Sequence, residues 1–376
     1  MYRSQKQCER RAPGATYTLR ISPRVAEELD REQFADAATD ALGALRQSVG
    51  VDLPMAGLVV DADLPEGRAE FHVDGAEAWQ ANIPRASAFM PSASGTPGTG
   101  GDDDASEIVM PGIGAGHWQS LGALPLQDRS AANFDAAAGR DEDRAAASKS
   151  IAEVLGQATV ANIGRWSSHA FGLQAADAWL SKLSSKGQDA LVQQVRQTVL
   201  LTRLADIVRH LLSEDVTLAH PRLILEAVLE HAPKIDDTRQ VADHVRLALS
   251  RPLSAQFAST DRKICALIVE LDLEERLRDA VIEAPTGNRF ALSFEEAQNL
   301  EAALRGWQAE VRRLKRPVVL ATSFDVRRPL RQFVANRNLE LAVVAFEEVA
   351  PDYRLDPISA LSGAVLSGSS EVVAAE

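Results

Sequence analysis

The sequence predicts an α+β multidomain protein, and three observations favour this fold class. Residues 142–250 carry apolar side chains at helical spacing with few interruptions. Two short apolar runs near the C-terminus, PVVLA (317–321) and LAVVAF (341–346), are typical of buried strands. Short alternating segments near the N-terminus predict a small sheet. At 376 residues the chain is too long for one core, so we expect two to four compact units.

The N-terminal part is predicted to begin with a polar linker, residues 1–15, followed by a strand at 17–21. Ser22 and Pro23 then open a helix whose apolar stripe runs to Leu45 and which ends near Gly50. Residues 57–62, 69–74 and 78–83 are short segments separated by Asp, Pro and Gly, a pattern typical of a small antiparallel sheet. Residues 91–116 are rich in Gly, Pro, Ser and Asp and predict a mobile loop or an insertion.

The helical block contains several predicted helices before its most regular stretch. The first starts near Ile151 and runs towards Phe171 and Gly172, and the next three cover 175–183, 186–200 and 202–212. The apolar period is 3.6 residues rather than a repeat of 34 or 40, so a solenoid is not predicted.

Residues 219–251 form the most regular stretch and predict two helices. Pro221 suits a first helical turn, and Pro233 ends the first helix. Asp236 and Asp237 are placed to cap the second helix. The first helix has an apolar face of Ile224, Leu225, Val228 and Leu229, and the second has Val241, Val245, Ala248 and Leu249. The opposite face of the second helix carries Arg239, Asp243, Arg246 and Ser250. Such a face is either solvated surface or a protein interface.

The C-terminal part alternates strands and helices. We expect strands at 264–271 and 289–292 and helices at 273–284 and 294–314. The strands 317–321 and 341–346, joined by a helix at 326–336, predict a parallel βαβ unit with a right-handed crossover. Residues 363–376 are expected to be a frayed tail.

Composition excludes several classes of protein. A formal charge of −13 argues against a nucleic-acid binder, although RRLKR (312–316) and RRPLR (327–331) are local basic runs. Cys8 and Cys265 form no Cys-x-x-Cys pair, so neither a disulfide framework nor a thiolate metal site is expected. No apolar run approaches the roughly 18 residues of a membrane span, and the polar N-terminus lacks the apolar core of a signal peptide. These features fit a reducing cytoplasm.

The sequence also lacks a recognisable catalytic motif. Glycines 112, 114 and 116 have neither a preceding buried strand nor a following Lys-Ser/Thr, so they do not form a phosphate loop. Three consecutive aspartates at 102–104 are expected to be solvated rather than to bind a metal. Histidines 210, 220, 231 and 244 are too widely spaced to share one helix face. We therefore expect no cofactor, no metal and no enzymatic activity, and instead a binding or scaffolding role.

Four segments resemble the cytosolic half of the export-gate proteins of type III secretion systems, the SctV/FlhA family of injectisomes and flagella. The first is HPRLILEAVLEHAPKIDDTRQVADHVRLALSR (220–251), and the second is the helix entry FGLQAADAWLSKL (171–183). The others are PVVLATSFDVRRPLRQFVANRNLELAVVAFEEV (317–349) and PGATYTLRISP (13–23). The chain departs from the family pattern at Ala175, where Glu is usual, and at His231, where Trp is usual.

The resemblance implies four subdomains. The first is split between residues 16–62 and 140–178 and is interrupted by a small α/β insertion at 63–139. A helical third subdomain covers 179–262, and an α/β fourth covers 263–362, before the tail at 363–376.

The resemblance also implies a function. Members assemble a homo-nonameric ring beneath the inner membrane, where they receive secretion chaperones, effectors and translocators and contact other export-apparatus proteins, including the ATPase stalk. Their membrane contact comes through a transmembrane half that is not present in this chain. Because the third subdomain contributes ring contacts, the subunit-interface candidates are Arg222, Asp236, Arg239, Asp243, Arg246 and Arg251. The positions shared with the family motifs are Gly172, Gln174, Pro233, Asp325, Arg327, Arg328 and Arg331.

Two other hypotheses stay open at this point. A stand-alone soluble adaptor would bind secretion chaperones without joining a ring. An enzyme that uses the C-terminal βαβ unit as a nucleotide fold would need a phosphate-binding loop, which the sequence lacks.

Overall fold

A computed structural model of the chain describes residues 16–91, 108–120, 148–283, 288–311, 314, 316–368 and 373–374. The chain divides into two compact units, Met1–Trp179 and Leu180–Glu376. Both combine helices with sheets, so the predicted α+β class is confirmed. The finer division into four subdomains stays a prediction. Among the described helices, each is too short or too polar to cross a bilayer.

The described residues of the first unit form seven strands, and the unit begins with a mixed sheet. In chain order its elements are β1 (Tyr17–Ile21), α1 (Pro23–Glu28), α2 (Arg31–Val49), β2 (Gly57–Val60), β3 (Arg68–Val73), β4 (Ala76–Asn82), β5 (Ser87–Pro91), β6 (Ile108–Met110), β7 (Gly114–Ser120), α3 (Ile151–Arg165) and α4 (Ser167–Ala170). Helix α5 (Leu173–Leu183) follows.

The first sheet has the order β2-β1-β3-β4. Strand β1 pairs parallel with β2 and antiparallel with β3. The predicted antiparallel sheet is confirmed for the pairing of β3 with β4. It was wrong for β2, which pairs parallel with β1, because β1 inserts between β2 and β3. The apolar face of this sheet packs on α1, α2 and α3 through a buried cluster that includes Leu19, Ile21, Phe34 and Leu155.

The helix predicted from Ser22 to Gly50 is two helices. Leu29 adopts an extended conformation, and the Asp30 side chain accepts hydrogen bonds from the N–H groups of Glu32 and Gln33 at 3.0 Å. Asp30 thus starts a new helix. Gly50 ends it as expected, with φ 84° and its N–H donating to the Arg46 carbonyl at 2.9 Å.

A second sheet of the first unit lies partly where a loop was expected. Its order is β5-β7-β6, and both pairings are antiparallel. The prediction of a loop over 91–116 was wrong for 108–116, while the stretch 92–107 lies outside the described residues. The sheet forms there because Phe89 and Trp118 pack edge to face at 5.3 Å and Met110 is buried beside them.

The second unit starts with a set of helices. They are α6 (Asp189–Thr198), α7 (Leu201–Ser213), α8 (Pro221–His231), α9 (Thr238–Ala248) and α10 (Ser250–Phe257). A single π-helical turn, Ser184–Gln188, precedes α6 and contains Gly187 at φ 86°. Helix α10 was not predicted. Pro252 suggested an end of helical structure, but it lies in the first turn of α10, where proline is tolerated.

The rest of the second unit is an α/β layer. It contains β8 (Lys263–Val269), α11 (Leu271–Asp279), β9 (Val281–Ile282), β10 (Arg289–Phe290), α12 (Phe294–Val311), β11 (Val318–Thr322), α13 (Phe324–Asn336), β12 (Ala342–Ala345), β13 (Arg354–Leu361) and β14 (Val373–Ala374). The main sheet has the order β12-β11-β8-β13-β14. Strands β11 and β12 are parallel, which confirms the predicted βαβ pairing.

The C-terminal residues are more ordered than expected. Strand β13, which was not predicted, pairs parallel with β8. Residues Gly363–Ser367 form a 3₁₀ helix in which Val365 and Leu366 are buried, and Val373–Ala374 pairs with β13. The frayed-tail prediction was therefore wrong for these segments, because the two apolar side chains join the core of the α/β layer.

Candidate functional site

Helices α8 and α9 carry most of the predicted interface residues. Helix α8 begins at Pro221 and ends at His231, shortly before Pro233. Of the two aspartates predicted as caps, only Asp237 acts as one, accepting a hydrogen bond from the N–H of Arg239 at 2.9 Å. The predicted apolar faces are confirmed at Ile224, Leu225, Val228, Val241, Val245 and Leu249, which are buried. Ala248 was assigned wrongly and is exposed.

Four of the interface candidates remain accessible in this chain. Arg222 donates to both carboxylate oxygens of Glu226 at 3.1 Å and is 65% exposed. Arg251 donates to Asp352 at 2.7 Å and is 71% exposed. Asp236 is exposed and Arg239 is half-buried. Exposed ion pairs of this kind contribute little to folding, about 0–1 kcal/mol, so their charges stay available for a partner.

The other two candidates do not lie on the surface. Asp243 is 9% exposed and Arg246 is 4% exposed. Arg246 donates from Nε and Nη2 to the two oxygens of Glu348, at 2.6 and 2.8 Å. Its Nη1 lies 3.1 Å from Glu214 Oε2. The interpretation of these two residues as part of an exposed or subunit-contacting face is corrected, because their partners lie in the same chain.

Arg327 completes this buried cluster. Its side chain is fully buried, and its Nη1 donates to Glu214 Oε2 at 2.6 Å. Its Nη2 donates to Asp243, and its Nε lies 3.5 Å from Glu348 Oε1 without a hydrogen-bond partner among the described residues. We call Glu214, Asp243, Arg246, Arg327 and Glu348 the buried charge network.

The buried charge network carries three negative and two positive groups, and Arg328 supplies the balancing charge. Arg328 lies 3.5 Å from Asp243 and 3.2 Å from Asp237, at the edge of the network. Burial alone would raise the pKa of Glu214, but Arg327 and Arg246 outweigh it and lower the pKa to about 2. Burial dominates at Asp243 and raises its pKa. Burial by itself would lower the pKa of Arg327. The three surrounding carboxylates have the larger effect, so the pKa is raised.

The network therefore behaves as a structural element rather than a reactive site. Its carboxylates and guanidinium groups pair with one another, with Arg327 Nε left without a hydrogen bond among the described residues. Arg246 Nη2 also lies 3.5 Å from the Val343 carbonyl of edge strand β12. It ties α7, α9 and α13 to the 3₁₀ helix Phe346–Glu348. Among the described residues, no three His, Cys, Asp or Glu side chains are arranged to hold a metal ion.

One groove elsewhere in the second unit could take a small polar group. It is open, has a volume of about 540 Å³, and is lined by Ser181, Ser184, Ser185, Asp189, Val192, Gln193 and Arg196. The Ser184 hydroxyl donates to Asp189. None of the predicted site residues lines it.

Comparison with known proteins decides the family. The pattern described as "FHIPEP family" matches residues 3–354, which is nearly the whole chain. The chain belongs to the FHIPEP family. Among curated relatives, the probable translocation protein y4yR of Sinorhizobium fredii is 24% identical over 342 residues, covering 91% of this chain and 46% of the relative. The hypersensitivity response secretion protein HrcV of Ralstonia nicotianae is 29% identical over 204 residues, covering 54% and 29%. The chain thus spans less than half the length of these FHIPEP relatives.

Solved structures share the fold of this FHIPEP chain. The Chlamydia pneumoniae CdsV protein in complex with CdsO matches with a TM-score of 0.71 at 20% identity, covering 91% of this chain and 96% of that one. The nonameric EPEC SctV-C structure matches with a TM-score of 0.67 at 14% identity, covering 93% and 99%. The resemblance predicted from the sequence is confirmed.

The positions predicted to match the family motifs fall in different environments. Arg327 and Arg328 belong to the network or its edge, and Arg331 lies 3.4 Å from the Ser213 carbonyl. Asp325 pairs with Arg278. Gly172, Gln174 and Pro233 are exposed.

Sequence reasoning missed two network members, Glu214 and Glu348. Glu214 follows the last residue of α7, and Glu348 lies in the 3₁₀ helix after β12. No local pattern distinguishes them from exposed acids. A charge balance would have shown only that Asp243, Arg246 and Arg327 need further carboxylates if they are buried.

Proposed function

We propose that this chain is the cytosolic part of a type III protein export gate, which forms a ring, docks chaperone–substrate complexes and hands substrates to the export channel. The observation that carries the proposal is the FHIPEP match over residues 3–354. The names of relatives, among them a translocation protein and a hypersensitivity response secretion protein, support a role in secretion. In this proposal the chain acts at the cytosolic face of the inner membrane.

The proposed assembly is a homo-nonamer. The nonameric structures of EPEC SctV-C and of the EscV cytosolic domain support it, because they share the fold. The proposed subunit contacts use the accessible charges of the helical region, namely Arg222, Asp236, Arg239 and Arg251. Because exposed ion pairs are each worth about 0–1 kcal/mol, the ring should form only when many subunits are held close together.

The proposed partners are secretion chaperones, effectors, translocators and other export-apparatus proteins, including the ATPase stalk. The solved complex of CdsV with CdsO supports a partner beyond the ring itself. We also propose that the two units contain the four subdomains expected from the sequence, with helices α6–α10 as the third and the β12-β11-β8-β13-β14 sheet as the core of the fourth.

The proposal is tested by holding the protein on a surface at controlled density. Protein with an N-terminal polyhistidine tag, labelled with donor or acceptor dyes, is bound to vesicles that carry nickel-chelating lipid. Energy transfer between subunits should rise with density for the natural protein and be reduced for Arg222→Glu. Arg85→Glu is the matched control, because Arg85 is 74% exposed and also forms a surface ion pair, with Glu66.

Two outcomes would count against parts of this proposal. Energy transfer that stays at the level expected from random crowding at every density would contradict ring formation. Equal energy transfer for Arg222→Glu and Arg85→Glu would show that Arg222 does not take part in the subunit contact. Capture of secretion chaperones by a protein that never self-associates would instead favour a stand-alone adaptor.

A further inference from the structure

Two histidines of the second unit lie face to face. His231 is the last residue of α8 and His244 lies in α9, and their rings stack with centroids 4.4 Å apart and planes 13° apart. Phe324, the first residue of α13, lies beside His244 with ring centroids 6.0 Å apart. The three rings join the end of α8, the middle of α9 and the start of α13. Spacing along the sequence did not reveal this pair, because the helix hairpin brings the two residues together.

The stack can form between two neutral imidazoles or between one neutral and one protonated ring. Two protonated rings destabilise it. Two positive rings at this separation repel, and half-burial reduces the screening by water. The C-terminal end of α8 favours a charge on His231, while burial and His244 disfavour it. The balance lowers the pKa of His231, with burial as the largest cause and His244 next.

Charged groups near the pair lie on α8, after α8, on α13 and on the other neighbouring elements. Glu230 lies 3.9 Å from His231 and favours its proton, and Lys234 opposes it. From α13, Arg328 is paired with Asp237 and Asp243, and Asp325 is paired with Arg278. The groups on the remaining neighbouring elements are Asp189 and Arg196 of α6, Arg203, Asp206, Arg209 and His210 of α7, Glu214 after α7, Arg239 and Arg246 of α9, Arg251 of α10, and Glu347 and Glu348.

We propose that His231 and His244 form an acid-sensitive latch, closed at neutral pH by ring stacking and opened when both rings are protonated. Opening frees the end of α8 and the start of α13 from α9. The packing of the α8–α9 hairpin then changes over the ordinary titration range of histidine, around pH 6.5 and below. This inference goes beyond the proposed function and does not depend on ring assembly.

The direction of the pH effect follows from linkage. Because the pKa of His231 is lower in the folded chain than in the unfolded chain, the folded state binds fewer protons between the two values. The stability contributed by the closed latch is complete above the unfolded pKa of about 6.5. It decreases as the pH falls from that value through the folded pKa.

Hydrogen exchange measured by mass spectrometry at pH 7.5 and pH 5.5, corrected for intrinsic exchange rates, tests the latch. In the natural protein, exchange at the end of α8 and the start of α13 should increase severalfold at the lower pH, because the open arrangement becomes more populated. His231→Phe keeps a stacking ring that cannot be protonated and should remove this increase. His220→Gln and His210→Gln should retain it, since neither residue belongs to the stack.

Histidine ring titration by NMR supplies the second measurement. The pKa of His231 should rise towards its ordinary value in His244→Phe. An unchanged pH dependence of exchange in His231→Phe, or unchanged titration of His231 in His244→Phe, would overturn the proposal. Far-UV circular dichroism at pH 7.5 establishes that each variant is folded, and His231→Asn replaces His231→Phe if the larger ring does not fit.

Discussion

Arg327 Nη1 donates a hydrogen bond of 2.6 Å to Glu214 Oε2 from a side chain that has no exposed surface. The two residues are 113 positions apart in the chain. Arg246 binds the same carboxylate, so one acid at the end of α7 serves two buried arginines. This shared acid connects the helical part of the second unit to its α/β layer.

Removing Arg327 should cost far more stability than removing an exposed arginine. Arg327→Met leaves the buried Asp243 and Glu348 and the half-buried Glu214 with too few partners. We expect a loss of about 3–5 kcal/mol in the free energy of unfolding. Arg222→Met, which breaks an exposed pair, should cost less than about 1 kcal/mol. Urea unfolding followed by circular dichroism at pH 7.5 measures both. Equal losses in the two variants would mean that the buried network does not organise the unit.

Acid should weaken the fold through Glu214 in a defined pH window. Its pKa is lowered from 4.5 to about 2 in the folded chain, so its stabilising contribution is present above pH 4.5 and is lost as the pH falls towards 2. Between pH 5 and pH 3 we expect a loss of about 2 kcal/mol from this residue.

The measurement compares the natural protein with Glu214→Gln over that window. The variant is less stable at neutral pH, and the difference in unfolding free energy should shrink as the pH falls. Asp243 is present in both proteins, and the part of its raised pKa that comes from Glu214 is lost in the variant. A difference that stays constant from pH 5 to pH 3 would contradict the assigned role of Glu214.

Substitution by alanine should be costly at one glycine and nearly neutral at another. A Cβ at Gly116 would lie 2.6 Å from the Phe89 ring and would also meet the Met90 carbonyl, so Gly116→Ala should destabilise the β5-β7 pairing by about 1–3 kcal/mol. A Cβ at Gly172 would meet nothing within 4 Å. Gly172→Ala should therefore change stability by no more than about 0.5 kcal/mol. Thermal unfolding of both variants checks this, and a costly Gly172→Ala would point to a constraint outside the fold of one chain.

Local periodicity was enough to find most elements of this fold. The stripes of α2, α7, α8 and α9 and the apolar strands β11 and β12 lie where the sequence predicts them, because each buries a continuous apolar face. Strand β13 escaped prediction because RLDPISAL mixes polar residues and a proline into a strand of the main sheet. Strands β6 and β7 escaped prediction because the segment 91–116 is rich in Gly, Pro, Ser and Asp, a composition typical of a loop.

The site was harder to predict for a different reason. Arg239, Asp243 and Arg246 share one side of α9, which a helical pattern assigns to solvent. Burial of Asp243 and Arg246 depends on partners that are 84 and 102 positions away, and tertiary contacts at such separations leave no trace in local patterning. Arg222 and Arg251 are exposed, and their use as a subunit contact stays a prediction.

The central claim is that many copies of this chain form the ring of an export gate. Electron microscopy of the tagged protein, bound at high density to nickel-chelating lipid, tests it most directly. Class averages of ninefold rings, lost in Arg222→Glu and retained in Arg85→Glu, are the predicted result. Separate single particles at every density reached would contradict the claim.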